Sequence, residues 1–149
     1  MLSDLTKQFN ESRAEFQTKI KEAFKAELAT LTFPERIKSV GWVQYTPYFN
    51  DGDVCTFSVN LDHLFINRNS KDDLPEEEDY FNEYIYKRIN GKYEQLPNPN
   101  LDIECANFIS AVINVVGQVP EEIMKEVFGD HVTVHYTRDG FEVEDYEHE

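Results

Sequence analysis

The run Asn50-Asp51-Gly52-Asp53 places two carboxylates and an amide around one glycine. Oxygen-rich sets of this kind hold Ca²⁺ or Mg²⁺, so the run is a candidate cation loop. The EF-hand register fails: with Gly52 at its sixth position, positions one and three fall on Pro47 and Phe49, which offer no side-chain oxygen. A small metal-dependent hydrolase using Asp51, Asp53 and a histidine would need those groups to converge in one cleft. Hairpin-turn chemistry accounts for all four residues without an ion, because Asp51-Gly52 accepts the positive φ of a tight turn. These residues are therefore read as turn-forming, and no metal ligand is assigned.

His131 and His135 invite a zinc reading, but they fall in an alternating segment that reads as strand. Four residues of strand span about 13 Å, too far for two ligands of one ion. Cys55 alternates with Phe57, Val59 and Leu61, and Cys105 lies in the most apolar segment, so both read as small core hydrophobes. Neither has a basic or histidine neighbour in sequence to activate its thiol. The chain has no HExxH, GxSxG or phosphate-cradling glycine loop. No catalytic residue and no cofactor is assigned, and the reading leans away from an enzyme.

The aromatic group Trp42, Tyr45, Tyr48 and Phe49, around Pro47, is the other constellation. Trp and Tyr make effective contact anchors when they face outward, and Pro47 interrupts the local alternation. These four residues are the candidate protein-interaction site. Packing between sheet and helix is the competing expectation.

The chain has 149 residues and a net charge of −15. That length suits one domain with a single core. So acidic a surface disfavours direct grip on nucleic acid or anionic lipid. Residues 71 to 83 hold seven acids and one lysine, and residues 142 to 149 hold five acids and no base. Asp72, Asp73, Glu76, Glu77, Glu78, Asp79 and Glu83 would form an acidic face if the protein mimicked DNA to occupy a nucleic-acid-binding protein. Solubility alone accounts for the same charge. No apolar run reaches the ~18 residues of a membrane span, and the start lacks a secretory pattern. The expected location is the cytoplasm, which two cysteines also suit.

The elements that must position these groups follow from periodicity. Residues 1–31 read as one long amphipathic helix, with Leu2, Leu5, Phe9, Phe16, Ile20, Phe24 and Leu28 on one stripe and five acids balancing five bases. At 1.5 Å per residue it runs about 42 Å. It is expected to curve round the core; the alternative is that it projects and pairs with another subunit as a homo-oligomer. Residues 37–66 read as a hairpin, with a phase break near His63 that marks a bulge or the strand's end. Residues 75–128 read as helical: Pro75 opens a helix reaching about Asn90, a second follows over 101–117 with Asn100 as its N-cap, and a short third ends at Gly129. Residues 131–144 read as a second hairpin, followed by an acidic tail over 145–149. The fold class is α+β: an antiparallel sheet of about four strands from two hairpins, helices largely on one face, and a long N-terminal helix.

The segment Trp42-Val43-Gln44-Tyr45-Thr46-Pro47-Tyr48-Phe49-Asn50-Asp51-Gly52-Asp53-Val54-Cys55 resembles small acidic proteins of large tailed bacteriophages and their bacterial relatives. It covers under a tenth of the chain. The resemblance brings no biochemical role and no catalytic residue. It implies a setting, a bacterial host's cytoplasm, where small accessory proteins act by binding a host or viral protein. The leading expectation is a non-enzymatic binding protein, with assembly or chaperone-like action through the long helix as a variant.

Overall fold

Two antiparallel hairpins lie side by side and make most of the sheet. In the computed structural model, which describes residues 1–47, 55–74 and 79–147, β1 (Ser39–Tyr45) pairs with β2 (Ser58–Ile66). β6 (Val132–Thr137) pairs with β7 (Gly140–Asp145) across the expected turn. β1 and β6 join the hairpins, Trp42 opposite Val134 and Val40 opposite Tyr136. A two-residue edge strand, β3 (Asn69–Ser70), completes the order β3-β2-β1-β6-β7. The sheet thus has five strands, one more than expected. Asn67 and Arg68 both take positive φ and turn the chain into β3. The phase break near His63 is a bulge: Gly41 pairs with Phe65, whereas Val43 pairs with Asn60.

α1 (Leu2–Ala29), α2 (Ile103–Gln118) and α3 (Glu121–Phe128) supply the helices. The inner sheet face, Val40, Trp42, Val134 and Tyr136, shares one core with Phe24 and Leu28 of α1, Phe108 and Val112 of α2 and Met124 of α3. Burying such side chains contributes roughly 1.5–3 kcal/mol each. The N-cap of α2 is Asp102, not Asn100; its Oδ1 accepts from the backbone N–H groups of Glu104 and Cys105 at 3.1 and 3.3 Å.

The expected helix from Pro75 to Asn90 is overturned. Over the described part, β4 (Tyr84–Ile89) and β5 (Lys92–Pro97) form a separate two-stranded ribbon. Asn90 and Gly91 turn it, with φ of 51° and 80°. Asn-Gly supplies the two positive-φ residues that such a turn needs, and Tyr, Ile and Tyr favour strand over helix. Phe81 anchors the base of the ribbon in the core. Asn98 closes the base, its side chain donating to the carbonyl of Asn82 at 2.8 Å and its N–H to that of Glu83 at 3.0 Å.

α1 does not curve round the core. Every residue from 1 to 16 is exposed, and only Phe24 and Leu28 are buried. At about 100° per residue, Leu2, Leu5, Phe9 and Phe16 share an arc of about 60°. The side of α1 that meets the body carries Arg13, Lys21, Phe24 and Leu28, and is centred roughly a quarter turn away. The helix reaches the body with one side and shows its apolar stripe on another.

Candidate functional site

Tyr48, Phe49, Asn50, Asp51, Gly52, Asp53, Glu76, Glu77, Glu78 and His148, with the side chain of Asp72, lie outside the described residues. Of the four candidate aromatics, Trp42 and Tyr45 can be placed. Trp42 is fully buried, which corrects the expectation of an outward ring there. Its indole N–H donates to Gln44 Oε1 at 3.1 Å, and Gln44 Nε2 donates to the carbonyls of Met124 and Gly129 at 2.9 and 2.8 Å. Trp42 faces inward because its strand sits mid-sheet, with residues on both faces buried. Tyr45 is half-buried and rests against Tyr146 with ring centroids 5.5 Å apart.

The remaining acids differ in exposure, and those of β7 divide between its two faces. Asp73 and Glu83 are exposed, whereas Asp79 is half-buried and accepts from the Asn82 side chain at 2.8 Å. In β7, Glu142 and Glu144 lie opposite His135 and Thr133, and Asp145 lies opposite Val132. Alternation therefore sends Asp145 to the other face. Arg68 pairs with Glu142 and, at 3.5 Å, with Glu144.

No group of three metal-ligating side chains occurs among the described residues. His63 is exposed and His135 buried, and His131 stands half-buried beside Asp130. The Cys105 thiol is pushed up to about 11 by burial, with the Asp102 carboxylate adding to the effect. It is a core hydrophobe and a poor nucleophile at neutral pH. One groove of 740 Å³, between the end of α1 and the β6–β7 turn, is open and lined by Phe33, Phe141, Lys25 and Arg138 among others.

What stands out at the surface is apolar. Leu2, Leu5, Phe9 and Phe16 are 78, 61, 65 and 67% exposed. They form one stripe on a helix tied to α3 by Arg13, between Phe9 and Phe16, to Glu122 at 3.3 Å and by Lys21 to Glu126 at 2.9 Å. A helix end without tertiary contacts is marginal in water, so such a stripe calls for a covering surface. The ribbon gives a second display. Tyr84, Tyr86, Arg88 and Tyr93 share one of its faces, and the three tyrosines are at least half exposed. Sequence reasoning missed this display; the dipeptide Asn90-Gly91 between alternating runs was the signal that could have found it. No single helix among the described residues is long and apolar enough to cross a membrane.

No protein-family model, curated protein or solved structure matches the chain.

Proposed function

We propose that this chain is a non-enzymatic accessory protein that works by docking onto another protein through the projecting half of α1. The setting carried by residues 42–55 makes that partner a host or bacteriophage protein in a bacterial cytoplasm. The observation that carries the reading is the exposed stripe of Leu2, Leu5, Phe9 and Phe16. An apolar helix face of this kind fits an apolar groove or another amphipathic helix, read through residues three and four apart. Residues 1–31 are neutral, with five acids and five bases, inside a chain of −15. The stripe can therefore approach a partner without the repulsion carried by the rest of the surface. Assembly is the form of this reading in which the partner belongs to a larger complex.

The test is affinity capture from infected host cells, comparing the wild type with a Leu5→Asp, Phe9→Asp variant. Both positions are exposed, so the core stays intact. Recovery of the specific partner should fall about tenfold or more. A Tyr86→Ser, Tyr93→Ser variant measures the share carried by the ribbon. Equal recovery of every captured protein by wild type and stripe variant would contradict the reading.

A further inference from the structure

The stripe on α1 has an internal asymmetry that selects an occupant and its direction. We propose that it pairs with a second copy of this chain, antiparallel, with Leu5 of each copy against Phe16 of the other and Phe9 against Ser12. This rests on the reading of the stripe as a docking surface.

Leu2, Leu5, Phe9, Ser12, Phe16 and Lys19 follow alternating three- and four-residue steps, the spacing of a two-helix seam. A parallel, in-register pair would set Ser12 against Ser12, leaving a gap between two layers of paired phenylalanines. It would also set Lys19 against Lys19 in the seam. The antiparallel register removes both faults. The small Ser12 receives the bulky Phe9, and Lys19 lies beside Leu2, where its aliphatic stem covers the leucine while its ammonium reaches water.

Charge favours the same direction. The first 31 residues are neutral, so the whole −15 belongs to the remainder of the chain. A parallel pair holds the two acidic bodies side by side. The antiparallel overlap from residue 2 to residue 19 spans about 27 Å and places a body towards each end. That overlap exceeds the screening length of about 10 Å at 0.1 M salt. Lys21 lies on the side of α1 turned away from the stripe, so a partner helix leaves the Lys21–Glu126 pair in place, while Arg13 flanks the seam beside Phe9 and Phe16. The four exposed side chains offer on the order of 500 Å² per copy, or about 1,000 Å² for the pair, the lower bound of a specific interface. The dimer is accordingly a weak one that a better-fitting partner can open.

Sedimentation equilibrium of the full chain should give a mass rising with concentration towards twice 17.5 kDa. Phe9→Glu should raise the dissociation constant about tenfold or more with an unchanged folded core. Direction is read by cross-linking in a Cys55→Ser background. Leu5→Cys chains mixed with Phe16→Cys chains should form a mixed disulfide dimer, and each variant alone should form little. Rapid cross-linking of each variant with itself would establish a parallel pair and overturn the proposal. A monomer at all concentrations would also overturn it; the docking reading then stands or falls separately on whether Leu5→Asp, Phe9→Asp abolishes partner capture.

Discussion

The imidazole of His135 occupies the space that a side chain on Gly41 would need. A Cβ built on Gly41 would lie 2.6 Å from His135 Nδ1 and 3.0 Å from the carbonyl oxygen of Val134. Gly41 and His135 are directly paired across β1 and β6, so the absence of a side chain at one lets the ring of the other approach its backbone closely. Gly41→Ala should destabilise the fold by about 1–3 kcal/mol through overpacking. Urea unfolding measures it, and adding His135→Ala should recover part of the loss, because the nearest clash is with the ring.

The same ring makes stability depend on pH. Burial holds the His135 pKa below its usual 6.5, and the nearby Arg68 adds to this; Glu144 and Glu142 pull the other way without restoring it. Phe65 packs edge-to-face on the ring. The folded state therefore binds the proton less readily than the unfolded chain does. His135 contributes stability above pH 6.5 that is lost as pH falls below that value. The stability of wild type relative to His135→Leu should decrease between pH 7 and pH 5; a difference independent of pH would contradict this account.

Asp130 ties the end of β1 to the turn after α3. Its Oδ1 accepts from the Thr46 N–H at 2.8 Å and the His131 N–H at 2.9 Å, and its Oδ2 accepts from the Thr46 hydroxyl at 2.8 Å. Burial alone would raise its pKa, but the hydrogen bonds from Thr46 and the neighbouring His131 outweigh it and hold the pKa below 3.8. The stabilisation is present above pH 3.8 and lost as pH falls through the lowered pKa. Asp130→Ala should cost about 1.5–3 kcal/mol at neutral pH, the range for hydrogen bonds to a charged group. Chemical denaturation at pH 7 and pH 3 should show the penalty shrinking in acid.

Gln44 is a buried polar residue with every partner in place. Gln44→Leu leaves the Trp42 indole N–H without its acceptor and removes a donor from the carbonyls of Met124 and Gly129, at about 1–3 kcal/mol for each group left unsatisfied. Trp42→Ala should cost about 3–5 kcal/mol by opening a cavity in the core. Any loss of partner capture in that variant should track loss of folded protein, as circular dichroism of the same sample would report. Lost capture by a fully folded Trp42→Ala chain would show that the indole does more than pack.

The two outer hairpins, α2, α3 and the length of α1 were legible because each carries its own period or turn signal. The ribbon was not. Tyr80, Phe81, Tyr84, Ile85 and Ile89 recur at helical spacing, and acids after Pro75 resemble a helix start, so a helical pattern outweighed the Asn90-Gly91 turn. Sequence left Trp42 open between contact and packing for a related reason: β1 is buried on both faces, so alternation does not tell which residues face the core. The stripe on α1 was visible as a pattern, but period reports which residues share a face and says nothing of what covers them. That required the direction in which the helix leaves the body.

Amide hydrogen exchange over residues 2–16 tests the docking role of α1 most directly. Every residue of this stretch is exposed, its Arg13–Glu122 pair included, and a helix end exposed over this length frays. Exchange there should be slow in concentrated wild-type protein, or with partner bound, and fast on dilution and in Leu5→Asp, Phe9→Asp chains, while residues 24–28 stay protected throughout. Identical exchange over residues 2–16 in wild type and variant, at every concentration and with or without captured partner, would contradict the account.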